Sequence, residues 1–228
     1  MMTNIQLLIK VYGTRERAIH AAQILIDNDV KELDAKSQIS ISEEGWLTLE
    51  ISGEDEEFAA NFLVDKYGSP LKKVNKGDIC KGYVSSIEKD HIVIDIGVPV
   101  TIMQKSLGTL GTGDAQQVAS RFGIIPHIPL EIEIEDTKNI TGHLSKKQLD
   151  ILWNWKKSGF DHVTANSVTR SELKAAIKKT GHARDIFGIE RLGLMEHIIT
   201  CREGTDGPGI VAAIGRHVKG ELGVIKAA

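Results

Sequence analysis

The residues of this sequence that could do chemistry are mostly lysines, and in one stretch they are interleaved with aromatic side chains. Residues 138–191 hold eleven Lys or Arg and five Asp or Glu, with Trp153, Trp155 and Phe160 among them. Lysines attract phosphates whatever the base sequence, and aromatic rings stack on bases. Six lysines are the candidate RNA contacts of this stretch: Lys146, Lys147, Lys156, Lys157, Lys178 and Lys179. The alternative is that apolar residues here bury one helix face while the lysines are only solvated.

A second candidate site is the turn formed by Asp206-Gly207-Pro208-Gly209. The stretch Leu192–Cys201 before it predicts a strand, and a helix is predicted to begin at Ile210. Asp206 can cap this helix, and proline is preorganised for its first turn. With a returning strand at Leu222–Ile225, the order is similar to the opening of an ACT-type regulatory domain. That resemblance implies amino-acid binding at Asp206, Gly207 and Gly209; the turn could equally accept a phosphate or be structural.

The sequence contains none of the patterns that identify common catalytic or cofactor sites. The glycine-rich stretch 107–114 has no Lys-Ser or Lys-Thr after its glycines, so it is not a nucleotide P-loop. Cys80 and Cys201 are far apart and neither belongs to a CxxC pair. No nucleophile–base pair or metal-ligand cluster is visible. We therefore expect no catalytic residue, no metal and no cofactor, and a protein that is not an enzyme.

The middle of the chain predicts a small β-barrel. From Ile79 to Ser86 alternate residues differ in polarity, which is typical of a strand with two differently solvated faces. Gly82 interrupts this strand and predicts a bulge or a bend. Two further short strands follow, at 91–97 and 100–104, joined to each other and to the first by tight turns. Three such strands are the opening of an OB-type barrel.

The same residues carry a family resemblance. Lys-Gly-Asp-Ile-x-x-Gly-x-Val at 76–84, Ile-Val-Ile-Asp-Ile-Gly at 92–97 and Leu-Ser-x-Lys at 144–147 resemble the S-one RNA-binding domain, an OB barrel. The resemblance implies contacts with single-stranded RNA on the barrel face, at Lys76, Lys81, Tyr83, Lys89 and His91. The family's stacking aromatics and histidine are replaced here by Asp90, Val93 and Gln104. Because one base–aromatic stack contributes about 1–3 kcal/mol, we expect weaker binding of single strands.

Length and charge divide the 228 residues into three parts of an α+β protein. We predict a small α+β sandwich at 1–71, the OB-type barrel at 72–150 with an insertion at 108–127, and a basic α/β domain at 151–228. Residues 1–70 hold six Lys or Arg against thirteen Asp or Glu. This part therefore repels phosphate, and the C-terminal part attracts it.

The first part predicts the order strand, helix, hairpin, helix. Thr14 is the expected N-cap of the first helix. The second helix follows the acidic run Glu54–Glu57, which suits its positive N-terminus. Its apolar face is predicted to consist of Phe58, Phe62, Leu63 and Tyr67. Helices packed on one face of an antiparallel sheet would bury these residues.

The leading hypothesis is a non-enzymatic RNA-binding or ribosome-associated factor that acts in translation, transcription or RNA turnover. The alternatives are a sensor of an amino acid or nucleotide at the 206–209 turn, and a protein-interaction scaffold that has lost RNA binding. RNA, the ribosome or a protein are thus the expected partners, without a membrane and without sequence-specific DNA binding. As a whole the chain resembles an uncharacterised protein family of archaea. No signal peptide is apparent, which favours the cytoplasm.

Overall fold

The structure is a computed structural model that describes residues 2–12 and 15–228. It divides into two compact units, Met1–Lys72 and Lys73–Ala228. Both combine helices and sheets, so the prediction of an α+β protein is confirmed. The predicted N-cap Thr14 lies outside the described residues. No helix in the described ranges is both long and apolar enough to cross a membrane.

The first unit has the predicted order of strand, helix, hairpin and helix. Its elements are β1 (Met2–Lys10), α1 (Arg15–Val30), β2 (Lys36–Ile41), β3 (Trp46–Ser52) and α2 (Glu56–Tyr67). The sheet is antiparallel with β3 in the centre. Leu47, Leu49 and Ile51 alternate along β3 and are at most 1% exposed, which is typical of a sheet covered on one face.

The second helix buries only part of the predicted apolar face: Leu63 is buried, and the two phenylalanines are not. Ala59, Ala60 and Leu63 are buried, whereas Phe58 is 62% and Phe62 38% exposed. Both sets follow helical spacing, but small alanine side chains let α2 lie closer to the sheet than phenylalanines would. The prediction that Phe58 and Phe62 belong to the buried face is therefore wrong.

The second unit begins with a closed five-stranded barrel. Its strands are β4 (Ile79–Ile87), β5 (His91–Asp95), β6 (Pro99–Met103), β7 (Pro129–Asp136) and β8 (Thr141–Leu144). They close in the order β4-β5-β6-β8-β7, with β6 and β8 parallel. A short helix, α3 (Ala115–Arg121), lies between the third and fourth barrel strands. This five-stranded arrangement is compatible with an OB-like fold.

The fourth barrel strand alternates between buried and outward-facing residues. In β7, Leu130, Ile132 and Ile134 are at most 2% exposed, and their neighbours face outward. Gly82 lies in a regular part of β4, and a Cβ there would be only 2.4 Å from Ile96 Cγ2. The bulge of this strand falls between Val84 and Ser86 instead. Gly82 is therefore required by close packing, and the prediction of a bulge at this residue is wrong.

The chain continues into an antiparallel sheet flanked by helices. Its elements are α4 (Lys146–Lys157), β9 (His162–Ala165), α5 (Arg170–Lys179), β10 (Ile186–Arg191), β11 (His197–Cys201), α6 (Gly207–Ile214) and β12 (Leu222–Ile225). The strands lie in the order β10-β11-β9-β12. Thr169 and Glu172 form a capping box at the start of α5. The predicted strand at 192–201 is shorter than expected, because residues 192–196 form a turn closed by bonds from the Leu192 and Gly193 amides to the Glu196 carbonyl.

The barrel and this sheet pack directly against each other. Buried Thr164 donates to the Gly123 carbonyl at 2.6 Å, and the Asn166 side chain donates to the Pro126 carbonyl at 2.6 Å. The ring centroids of Phe122 and Trp153 lie 5.2 Å apart in an edge-to-face arrangement. The insertion after the third barrel strand thus forms part of the contact between the two halves of the unit.

Candidate nucleic-acid interface

A groove of about 500 Å³ opens on the barrel where β6 ends and where β7 turns into β8. Lys76 precedes β4, Lys105 follows β6, and Asn139 lies in the β7–β8 turn; all three line the groove and are exposed. Glu135 and Asp136 also line it. The groove therefore combines two ammonium groups with amide and carboxylate groups, and of the predicted RNA contacts it contains Lys76.

The turn between β7 and β8 is held by Asp136. Its carboxylate accepts hydrogen bonds from the Lys138 amide at 2.9 Å and from the Asn139 side chain at 2.7 Å. These bonds lower the pKa of Asp136, the first of them most. Because Asp136 already accepts these two donors, it adds less negative potential to the groove than an unpaired carboxylate would.

The outer surface of β5 and β6 carries few aromatic rings. His91 lies half-buried on β5, and its Nδ1 is 2.7 Å from Asp90 Oδ1, an interaction that lowers the pKa of Asp90. Met103, opposite His91 on β6, is 37% exposed. Gln104, at the position where the S-one resemblance has histidine, donates to the Gly113 carbonyl at 2.8 Å. Lys89 is exposed in the turn before β5.

Tyr83 is not placed as an RNA-stacking residue. It is only 2% exposed, although its neighbours Lys81 and Ser85 on alternate positions of β4 are exposed. The turn after β10 covers it: a Cβ added to Gly193 would lie 3.4 Å from Tyr83 Cε1. Tyr83 therefore belongs to the contact between barrel and sheet, contrary to the expectation of an exposed ring.

A second cavity, of about 420 Å³, lies between β4, β7, α4 and the end of β10. Two predicted contacts from distant parts of the sequence, Lys81 and Lys147, both line it. Lys81 Nζ donates to the Leu192 carbonyl at 3.2 Å, and Lys147 Nζ lies 3.2 Å from Glu131 Oε2. Ser145 also donates to Glu131 at 2.6 Å, and this bond is the main cause of the lowered pKa of Glu131.

Two buried titratable residues lie in sequence at the end of the 192–196 turn. Glu196 is 0% exposed, and burial raises its pKa to about 8, while nearby Lys81 acts in the opposite direction. His197 is also 0% exposed, and burial lowers its pKa to about 4, helped by the positive charge of Arg191. Glu196 Oε1 and both ring nitrogens of His197 have no hydrogen-bond partner among the described residues. Both side chains are therefore stable mainly in their neutral forms.

The other predicted contacts are scattered over the second half of the unit. Lys156 donates to the Lys226 carbonyl at 2.9 Å, and Lys157 Nζ lies 5.0 Å from the ring centroid of Trp153. Lys146 is exposed in the first turn of α4, and Lys178 and Lys179 are exposed in the last turn of α5. The predicted set thus lies on several elements of the second unit and not on the barrel alone.

The Gly207 and Gly209 amides of the 206–209 turn already donate hydrogen bonds within the protein. The Gly207 amide donates to Asp161 at 2.8 Å, and the Gly209 amide donates to Asp206 at 2.9 Å. Lys226 Nζ lies 3.6 Å from the second oxygen of Asp206. Asp206 thus caps α6 as predicted. The turn has the hydrogen bonds of a structural cap, and a ligand would have to displace two carboxylates.

Sequence patterns did not identify Glu196 or Lys105 as candidates for a site. The signal for Glu196 was present, since one carboxyl and one imidazole interrupt the apolar run at 194–199. For Lys105 no signal was available, because only the closed barrel brings it next to Lys76. Local patterns find charged residues, and the fold decides which of them meet.

Three family models together match almost the entire chain. The DUF2110 N-terminal domain matches residues 4–73, the DUF2110 central domain residues 74–156, and the DUF2110 C-terminal domain residues 160–226. No curated protein matches the chain. The central model spans the barrel strands and α4, and the C-terminal model begins just before β9. With all three models matched in order, the protein belongs to the DUF2110 family.

Proposed function

We propose that this protein binds single-stranded RNA in the barrel groove and acts as a non-enzymatic RNA-binding or ribosome-associated factor. The observation that carries this proposal is the position of the groove. OB folds bind oligonucleotides across their second and third strands and at the loops joining strands one to two and four to five. The groove lies at the end of the third barrel strand and at the turn between the fourth and fifth.

The composition of this surface sets the expected mode of binding. Lys76 and Lys105 are exposed point charges suited to phosphates, whereas His91 and Met103 offer little flat surface for bases. Phosphate contacts make affinity depend steeply on salt, and weak stacking makes it insensitive to base sequence. We expect modest affinity that falls as salt is added.

The test is the double substitution Lys76→Ala with Lys105→Ala, measured with a uridine oligonucleotide over a series of salt concentrations. Removing one lysine–phosphate interaction should lower the slope of log affinity against log salt by about 0.7. The double variant should therefore bind more weakly and with a slope smaller by roughly 1.4. Lys31→Ala with Lys36→Ala, two exposed lysines of the first unit, is the control with the same charge change. Equal slopes for both double variants would refute binding in the groove.

A second candidate function, protein binding by the first unit, is favoured by the outer face of α2. Phe58 and Phe62 are exposed one turn apart, with exposed Glu57 and Asp65 on the same helix. Exposed aromatic residues are enriched in protein interfaces, and the net negative charge of residues 1–70 suits a basic partner. We expect Phe58→Ser with Phe62→Ser to abolish recovery of any partner that survives nuclease treatment of a native lysate. Partners retained by this variant would rule the surface out.

A further inference from the structure

We propose that the cavity between the barrel and α4 is a binding site for one nucleotide unit, with its phosphate at Lys81 and Lys147 and its base against Trp155. This cavity and the groove have no lining residue in common. The proposal therefore goes beyond RNA binding in the groove and can fail separately from it. A volume of about 420 Å³ falls within the range of small-molecule sites in proteins.

The cationic end of the cavity is formed by two lysines that come from different elements. An ammonium group has three N–H donors, and among the described residues Lys81 and Lys147 each make one hydrogen bond. The charge of Lys147 contributes to the lowered pKa of Lys81, whose main cause is desolvation. A phosphate between them would accept the remaining donors and relieve this repulsion.

Glu196 and Glu131 both raise the pKa of Lys81, but burial lowers it more, so they compensate its positive charge only in part. Glu196 is fully buried, and its Oε1 has no hydrogen-bond partner in the described part of the chain. At pH 7 this carboxyl is mostly protonated, because burial raises its pKa to about 8. Glu131 neutralises Lys147 across the 3.2 Å pair. The remaining charge at this end is therefore positive, which suits an anionic group.

About two helical turns from Lys147 on α4, an aromatic residue lines the cavity, and an acidic residue lines it too. The half-buried indole of Trp155 lines it, with its ring centroid 6.3 Å from that of buried His162. Glu190, exposed on β10, lines the same space. A base can stack on the indole while its amino group, or a ribose hydroxyl, donates to Glu190. The cavity thus suits a ligand that has a phosphate at one end and a flat group with N–H or O–H donors at the other. A nucleotide has both.

The experiment titrates the intact protein with AMP, GMP, CMP and UMP by calorimetry, with inorganic phosphate and leucine as comparison probes. At least one nucleotide should bind, more tightly than either comparison probe. Lys147→Ala should weaken it about tenfold or more, since hydrogen bonds to charged groups contribute on that scale. Lys146→Ala is the matched control, because this neighbouring lysine is exposed and does not line the cavity.

Two further variants separate binding from folding. Lys81→Met keeps the aliphatic stem and Trp155→Phe keeps a ring, and both should weaken nucleotide binding while the thermal midpoint stays within a few degrees of the wild type. Absence of binding by all four nucleotides, equal affinity in the Lys146 and Lys147 variants, or tighter binding of leucine would each overturn the proposal.

The nucleotide can be a free molecule or a residue of a bound RNA. Oligonucleotide binding by the Lys147→Ala variant distinguishes these two sources. If RNA supplies it, Lys147→Ala also weakens binding of the uridine oligonucleotide; if not, oligonucleotide binding is unchanged. Either result supports a nucleotide site. Lys76→Ala with Lys105→Ala should leave mononucleotide binding unchanged, so that failure of the groove and failure of the cavity are seen separately.

Discussion

Replacing Glu196 by Gln should remove a loss of stability that the wild type undergoes as the pH rises towards 8. The carboxyl is fully buried, and burial raises its pKa from 4.5 to about 8. A group whose pKa is higher in the folded protein stabilises the fold below its unfolded pKa and loses that effect as the pH passes its folded pKa. One pKa unit corresponds to about 1.4 kcal/mol, so the full change is on the order of several kcal/mol.

Neighbouring His197 affects how the free energy of unfolding depends on pH below 6.5. Burial lowers its pKa from 6.5 to about 4, so its stabilising effect is present above 6.5 and is lost as the pH falls towards 4. From about 4.5 to 6.5 the two residues have opposite slopes and largely cancel. Above 6.5 only Glu196 of this pair contributes, and the free energy of unfolding should fall by about 1.4 kcal/mol per pH unit near pH 7 and by about half of that near pH 8.

Urea unfolding of the second unit at pH 6.5, 7, 7.5 and 8 measures this slope. Glu196→Gln should be close to flat over this range and more stable than the wild type at pH 8. Glu203→Gln, which changes an exposed glutamate, should keep the wild-type slope. A slope unchanged by Glu196→Gln would show that the carboxyl is not buried in its neutral form.

Gly82→Ala should destabilise the barrel more than an alanine substitution at a glycine with open space around it. The added Cβ would lie 2.4 Å from Ile96 Cγ2 and 2.7 Å from the Asp95 carbonyl oxygen. Because one of these atoms belongs to the backbone of β5, the strands must move apart. Overpacking of this kind costs about 1–3 kcal/mol.

Gly188→Ala is the matched control for this substitution. Gly188 also lies in a strand of the second unit, and nothing lies within 4 Å of a Cβ built there. The thermal midpoint of Gly82→Ala should fall by several degrees and that of Gly188→Ala should change little. A similar fall in both variants would mean that the close approach at Gly82 adds no cost of its own.

Features that depend on neighbours along the chain were predictable from the sequence. The alternation of β7 and the capping box of Thr169 and Glu172 rest on side-chain periodicity and on hydrogen bonds within one helical turn. The order of elements in the first unit follows from the same kind of pattern. These signals are contained in windows of a few residues, so tertiary packing did not alter them.

Features that depend on distant packing were not predictable. Tyr83 is buried because Gly193, 110 positions later in the sequence, covers it. Lys81 and Lys147 line the same cavity because α4 lies beside β4 and β7. No local sequence pattern predicts this packing. On α2 the alternative faces had the same spacing, and the sheet selected the one with alanines. The candidate site was therefore predicted as a set of charged residues, and its division into a groove and a cavity required the fold.

The close approach of Gly123 and Gly223 restricts how the barrel of this protein can be exchanged for another. A Cβ on Gly223 would lie 3.1 Å from the Gly123 Cα, and a Cβ on Gly123 would lie 2.8 Å from Ile225 Cγ1. OB barrels often serve as interchangeable modules, but this one has backbone fitted against backbone of the following sheet. Exchanging the barrel alone by recombination would join two surfaces without this fit. The barrel and the C-terminal sheet are therefore expected to be inherited as one piece, although two family models describe them.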